Sequence, residues 1–260
     1  MPNVSVLIPA YNCAETLPRS LDSVLSQTYK DFEVILVDNN STDSTREIAE
    51  SYKGKLDIKI IPCKEQGIVP ALNTGLRSCA GEWIARQDGD DYWYPEKLEK
   101  QISFLNANPE ISILGTQIRL LDEKGNVEEL GTFGKQVKYC TESDDIRTGL
   151  LYGQNQLCHP SVIYSKNVIN HLGGYENMFP LAEDLHLWLK AFPHFKFANL
   201  NDVLVDYTQK KSPDYDARVP LVIADMYYGL YKTCGLVTGE RDNLMWDWQT
   251  VEGGHKHNAS

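Results

Sequence analysis

Apolar positions along the first 115 residues fall into alternating blocks of two kinds. Val4-Ser5-Val6-Leu7-Ile8, Phe32-Glu33-Val34-Ile35-Leu36-Val37 and Ile58-Lys59-Ile60-Ile61 are short β-rich runs. Between them, Leu17, Leu21, Val24 and Leu25 recur at helical spacing within Glu15 to Gln27, and a second helical stretch runs from Ser44 to Tyr52. The alternation predicts a third helix over Val69 to Cys79, a short strand at Trp83-Ile84-Ala85, a helix over Glu96 to Asn106 and a strand at Ile111-Ser112-Ile113-Leu114. Strands that alternate with helices at this spacing need crossover connections. The expected fold class is therefore α/β, a Rossmann-like, mostly parallel central sheet flanked by helices.

From about residue 116 the pattern loosens. It predicts strands at Gln117 to Leu121 and Ser161 to Tyr164, a helix over Leu181 to Phe192, one or two strands within Phe195 to Val205, and helical spacing over Pro220 to Cys234. The organisation that follows is a first half at 1–115, a second, smaller half at 116–215 and a C-terminal helical extension at 216–260, without internal repeats or low-complexity linkers.

In a parallel sheet, ligands gather at the carboxyl ends of the strands. The first two strands end there in Pro9-Ala10-Tyr11-Asn12 and Asp38-Asn39-Asn40-Ser41, and the fourth ends in Arg86-Gln87-Asp88-Gly89-Asp90-Asp91. That last run places three carboxylates in four positions. Held ionised so close together, they call for a divalent cation, and oxygen-only ligands favour a hard ion, Mg²⁺ or Mn²⁺. A solvated acidic turn is the alternative reading. Asp38, closing an apolar strand, is suited to accept from a ribose hydroxyl or a base N–H, and Asn73 to reach phosphate or sugar; a loop cap and a plain surface residue are the respective alternatives. Asp184 lies in the first turn of its helix, where it either caps the helix or serves as a general base facing a cleft.

Composition narrows the partners. A formal net charge of −11 disfavours nucleic acid, whose binding depends on Lys and Arg neutralising phosphates. The sequence has neither GxGxxG after the first strand nor a GxxxxGK[ST] loop, so a phosphorylated ligand must be met by metal and side chains. The amino-terminal segment has no basic region, and the chain has no apolar run of the length that spans a bilayer, which together point to a cytoplasmic protein. Six widely spaced cysteines read as reduced, packed thiols. His159 in His159-Pro160-Ser161 reads as a buried, satisfied histidine. Trp246 and Trp248 either pack the tail or contact a partner or a membrane surface. His255 and His257 have HxH spacing without further ligands and receive no metal role.

These segments in this order resemble the family 2 inverting glycosyltransferases of GT-A fold, and among them the capsule and lipopolysaccharide type. The resemblance runs through Val6 to Asn12, Ser26 to Glu33, Val37 to Asp43, Asn73-Thr74-Gly75, Gly81 to Asp91 and Ala182 to Leu189, spanning roughly residues 3 to 205. It implies that Pro9, Ala10, Tyr11, Asn12, Asp38 and Asn39 hold the base and ribose, that Asp88 touches the nucleotide, and that Asp90 ligates Mn²⁺ or Mg²⁺ on the diphosphate. Asp184 would then be the catalytic base, and the stretch at His159-Pro160-Ser161 would line the acceptor side. The implied donor is a nucleotide diphosphate sugar, with a UDP-sugar first, and the implied acceptor is a glycan or glycolipid hydroxyl. Two positions depart from the pattern: Asn39 stands where many members have Asp, and Thr208 and Lys210 stand where many have Arg and His. Lys210 could serve there only as a cation, because an ammonium cannot ligate metal; a solvated loop charge is the alternative. The competing readings are a sugar nucleotidyltransferase, whose usual Gly- and basic-rich first loop is missing here, and a non-catalytic nucleotide-sugar or glycan-binding module.

Overall fold

The computed structural model describes residues 2–122, 138–152, 154–177 and 182–209. By its contacts the chain forms two compact units, Met1–Met178 with Glu183–Lys210, and Phe179–Ala182 with Lys211–Ser260; of the second only Ala182 is described. The helix expected over Pro220 to Cys234, Trp246, Trp248, His255 and His257 therefore lie outside the described residues.

In the first unit, strands β1 (Val4–Ala10), β2 (Phe32–Asp38), β3 (Ile58–Pro62) and β4 (Trp83–Arg86) alternate with helices α1 (Leu17–Leu25), α2 (Thr45–Glu50) and α3 (Ile68–Leu76). Every residue of β1 is buried, as a central strand covered on both faces requires. After β4 come β5 (Tyr92–Trp93), α4 (Lys97–Ala107), β6 (Ile111–Leu121), α5 (Ser143–Leu151), β7 (Ile163–Ser165), α6 (Lys166–Leu172), α7 (Glu183–Ala191) and β8 (Lys196–Thr208). They complete one eight-stranded sheet in the order β3-β2-β1-β4-β7-β6-β8-β5.

The sheet is parallel from β3 to β4 and mixed beyond it. β7 runs antiparallel to both β4 and β6, and β8 is parallel to β6 but antiparallel to β5. The two strands expected at 111–114 and 117–121 are a single strand, β6, which carries a register shift against β8 at Thr116/Gln117 where the pattern breaks. The half boundary expected near 115 falls inside it. The strand expected at Ser161 begins two residues later, after a 3-10 turn at His159–Ser161. β5, α5 and α6 were not legible as apolar blocks, although Gly173, left-handed at φ 81°, marks the end of α6 in the ordinary way.

A buried polar seam ties the two halves of the sheet together. Trp93 is fully buried, donates from Nε1 to the Pro160 carbonyl at 2.9 Å and takes the Ser23 hydroxyl on its own N–H at 3.1 Å. Gln101 on α4 donates to the carbonyls of Leu114 (3.1 Å) and Ser161 (2.9 Å) and accepts from Lys97 Nζ at 2.8 Å. Burial holds the Lys97 amine well below its ordinary pKa.

Backbone approaches backbone at Gly81, just before β4. A Cβ built there lies 2.6 Å from the Ser5 nitrogen and 2.7 Å from the Val4 carbonyl carbon, atoms fixed in the central strand. Gly81→Ala is expected to lower stability by about 1–3 kcal/mol through this overlap. Urea unfolding checks it: the midpoint should fall with the m-value unchanged, and an unaltered midpoint would show that β1 yields.

Candidate active site

The acidic run forms a turn clamped from two sides. One residue beyond β4, the Gln87 N–H still donates to the Leu7 carbonyl at 3.0 Å, so the chain leaves the sheet along β1. Ser20 on α1 donates to the Asp88 carbonyl (2.7 Å), and the Gln87 amide reaches both Ser20 Oγ and the Asp91 carbonyl at 3.2 Å. From β8, Thr208 donates its hydroxyl to the Asp90 carbonyl (2.8 Å) and its N–H to Asp91 Oδ1 (2.7 Å). Gly89 fits because a Cβ there would lie 2.8 Å from Cys13 Sγ.

With the backbone so fixed, one carboxylate oxygen from each of Asp88, Asp90 and Asp91 lies within 4.8 Å of the others. Asp91 is fully buried, and its Oδ2 has no hydrogen-bond partner among the described residues. Burial, and then the charges of Asp88 and Asp90, push its carboxyl well above the usual range. An all-oxygen, charge-crowded donor set with an unsatisfied buried oxygen fits a hard divalent cation.

Behind the turn sits Arg86, 3% exposed and ion-paired with Asp88. Burial opposes the guanidinium's charge, but the Asp88 carboxylate outweighs it and the pKa is raised. The same cation acts on Glu183 and Asp184 at the start of α7, lowering both against larger opposing effects. Glu183 is buried, its Oε2 lacks a partner among the described residues, and burial followed by the charge of Asp184 raises its carboxyl to about 7. Asp184 also rises through burial, although the Leu185 N–H (2.7 Å, to Oδ1) and the Asn155 amide (3.0 Å, to Oδ2) favour its ionised form. Asp184 is thus a carboxylate with an elevated pKa, electrostatically linked through Arg86 to the acidic turn.

The strand ends expected to meet a nucleotide stand side by side. Ala10 pairs with Asp38 in register, and the Asn39 N–H donates to the Ala10 carbonyl at 2.8 Å. Tyr11 is 52% exposed, a large ring open to solvent on this edge. Asn12, in the left-handed region at φ 45°, accepts from the Thr42 N–H at 2.8 Å and so ties the first loop to the second. Asp38 accepts from the Ser41 N–H at 3.1 Å and faces Arg46 at 3.8 Å. Asp43 accepts from the N–H groups of Thr45 (3.0 Å) and Ala14 (3.1 Å), which fixes the loop before α2 against the first loop.

Asn39 and Asn73 spend their side chains on the protein itself. Asn39, 3% exposed, donates to the carbonyls of Cys63 and Glu65 and accepts from the Gly67 N–H at 2.8 Å. Asn73 exchanges two hydrogen bonds with the backbone of Tyr175, at 2.8 and 3.0 Å. His159 is buried against Tyr175 (Nε2 to OH, 2.8 Å), and burial keeps it neutral. The five described cysteines, Cys13, Cys63, Cys79, Cys140 and Cys158, are free thiols. Lys210 lies outside the described residues. A cleft of about 470 Å³ runs along α3 between Lys64, Arg77 and Asn177, and none of its lining residues belongs to the acidic turn.

A model of glycosyl transferase family 2 matches residues 5–160, which include all of β1 but Val4, the acidic turn and His159. The chain belongs to glycosyl transferase family 2. Among its relatives, the putative glycosyltransferase EpsE of Bacillus subtilis (strain 168) is 34% identical over 209 residues, covering 78% of this chain and 72% of the relative. The O-antigen biosynthesis glycosyltransferase WbnJ of Escherichia coli is 32% identical over 225 residues, covering 82% and 84%. In structure the chain resembles S. aureus TarS 1-349 in complex with UDP-GlcNAc, with a TM-score of 0.68 at 22% identity over 87% of this chain and 66% of that one. It also resembles glucosyl-3-phosphoglycerate synthase from Mycobacterium tuberculosis, solved with Mn²⁺ and UDP, with a TM-score of 0.63 at 18% identity over 92% and 82%. The chain thus spans about two thirds of the TarS fragment. The fold is GT-A.

Sequence reasoning assigned no role to three residues of this family 2 site: Arg86, Asn155 and Glu183. A charged residue closing an apolar strand, as Arg86 does after Trp83-Ile84-Ala85, was the available signal. Nothing in sequence brings Asn155 to Asp184, since 29 positions separate them.

The raised carboxyl of Glu183 gives a pH dependence. An acid whose folded pKa exceeds its unfolded value costs stability as pH rises from about 4.5 through about 7, and the cost is complete above that. Glu183→Gln removes the titration, so the variant should gain on the parent between pH 4.5 and pH 8 by an amount on the order of 1–3 kcal/mol. Urea unfolding at the two pH values measures it; a constant difference would place the Glu183 pKa near its ordinary range.

Proposed function

We propose that this family 2 enzyme moves a sugar, a hexosyl unit first, from a nucleoside diphosphate sugar to a hydroxyl of a glycan or glycolipid, with inversion at the anomeric carbon. UDP-sugars are the first donors to consider. The observation that carries the reading is the pairing of an oxygen-only acidic turn with a raised carboxylate outside it, Asp184, across one buried arginine. Two charged centres of that kind suit a direct displacement, which needs a site for the departing diphosphate and a base for the incoming hydroxyl.

Pro9, Ala10, Tyr11, Asn12 and Asp38 would receive the base and ribose, with exposed Tyr11 the group free to lie against a ring. Asn39 and Asn73 would shape this pocket through the loops they tie. Asp88 would meet the nucleotide, Asp90 would hold Mn²⁺ or Mg²⁺, and Asp91 would support the turn. The bound cation supplies electrostatic stabilisation of negative charge on the departing diphosphate. Asp184 accepts the acceptor's proton as its oxygen attacks the anomeric carbon, and the electron pair of the breaking C–O bond leaves with the diphosphate. A carboxylate whose pKa burial raises is a stronger base for that transfer than an exposed one. Lys210 belongs to the proposal as a cation near the diphosphate. So do the division at 1–115, 116–215 and 216–260, cytoplasmic placement and contact with a membrane surface. No helix among the described residues is long and apolar enough to cross a membrane.

The relatives support this reading in kind, since TarS has been solved with UDP-GlcNAc and a mannosyltransferase from Pyrobaculum calidifontis with GDP-Man and Mn²⁺. Thermal shift with UDP-, GDP-, dTDP- and CDP-sugars, each with and without Mn²⁺, should show metal-dependent stabilisation by one nucleotide class. Asp90→Asn should abolish that shift, and an undiminished shift would remove Asp90 as a ligand. Asp184→Asn should keep the shift while turnover falls by about two to four orders of magnitude. Near-normal turnover would end the assignment of Asp184 as the base.

A further inference from the structure

The Asn155 side chain is held at both ends. Its Oδ1 accepts the Leu157 N–H at 3.1 Å, a local turn anchored by Leu157, which is 1% exposed. With the oxygen so occupied, the amide NH₂ faces away from that turn and donates to Asp184 Oδ2 at 3.0 Å. The other oxygen of Asp184 accepts the N–H of Leu185 at 2.7 Å, which is set by the helix. The carboxylate plane is therefore fixed by one contact from α7 and one from the segment before the His159–Ser161 turn.

We infer that Asn155 is a positioning residue for sugar transfer, aiming the Asp184 carboxylate and favouring its ionised form. The inference rests on Asp184 being the base. An amide suits the task better than a charged donor or an acid. A second carboxylate would compete with Asp184 for one proton, and a lysine or arginine would pair with it and bind the anion too firmly to let it take a proton. The groups facing Asp184 are Arg86 from β4, Glu183 on its own helix, and Tyr139 and Cys158, both held neutral by burial. Among these, Arg86 supplies charge, while Asn155 adds direction through a hydrogen bond, as the helix N–H of Leu185 does on the other oxygen. Asn155 therefore completes the orientation of the base.

Substitution by serine separates the two ends of the amide. Asn155→Ser can keep the turn, because a serine hydroxyl accepts from the N–H two residues on, but it is too short to reach Asp184 as well. Kinetics of the intact chain with donor and acceptor should show kcat reduced about 10- to 100-fold in Asn155→Ser with donor KM unchanged. The acid limb of the kcat profile should also move to higher pH, because a hydrogen bond that favours the ionised base has been lost. Asn155→Asp, which places a second carboxyl beside the base, should move the limb further in the same direction. A serine variant with parental kcat and pH profile would overturn the inference, as would a loss confined to thermal stability or donor KM. The two failures are separable through Asp184→Asn: if that variant is fully active the base assignment itself is wrong, whereas if it is inactive and the serine variant is normal, only the role of Asn155 falls.

Discussion

A guanidinium 3% exposed to solvent persists only where carboxylates surround it, and Arg86 imposes that condition on this molecule. It closes β4, beside the central strand β1, so its position is set by the sheet. Asp88 pairs with it from the turn that follows, and Glu183 and Asp184 come to it from the start of α7, nearly a hundred positions later. Among the described residues the site on this edge thus has one internal cation, Arg86, facing several acids, and burial raises the carboxyls of Asp91 and Glu183. A further cation at the turn would relieve that imbalance. Asp184, which lies outside the turn, is the carboxylate proposed to take a proton. The same electrostatic constraint therefore accounts for both halves of the proposed chemistry.

The rest of the scaffold holds these groups still. Ser20 and Thr208 grip the carbonyls of Asp88 and Asp90 from opposite sides, and neither hydroxyl belongs to the turn it fixes. Asp206, two residues before Thr208, is locked by a bidentate pair with Arg119 (2.8 and 2.7 Å), so the end of β8 is itself anchored. Gly81 and Gly89 allow the approaches that side chains would block. Preorganisation of this sort is what electrostatic catalysis requires, because groups that are already oriented need not reorganise during reaction.

The parallel half of the fold was legible because each of its strands is a short, mostly apolar run and helical spacing separates them. Elsewhere the signal weakened for physical reasons. β5 is two residues long and β7 three, so neither offers a period to read, and β8 gains its pairing from β6 and not from its own alternation. The acidic turn and Asp184 stood out by residue type. Asn39 and Asn73 looked the same in sequence as free polar groups at a ligand edge, and only the positions of Gly67 and Tyr175 show where their hydrogen bonds go. Arg86 and Asn155 were invisible as partners because their importance arises from long-range contacts.

The central claim is that a metal at the acidic turn and a base at Asp184 flank one bound sugar from opposite sides. Crystals soaked with Mn²⁺ and a hydrolysis-resistant analogue of the nucleotide sugar that stabilises the protein, with diffraction recorded at the manganese edge, test it directly. The expected result is an anomalous peak at a distance on the order of 2 Å from an Asp90 oxygen, with the anomeric carbon between the diphosphate and the Asp184 carboxylate. A peak away from Asp90, or an anomeric carbon whose face opposite the diphosphate is turned from Asp184, would contradict it.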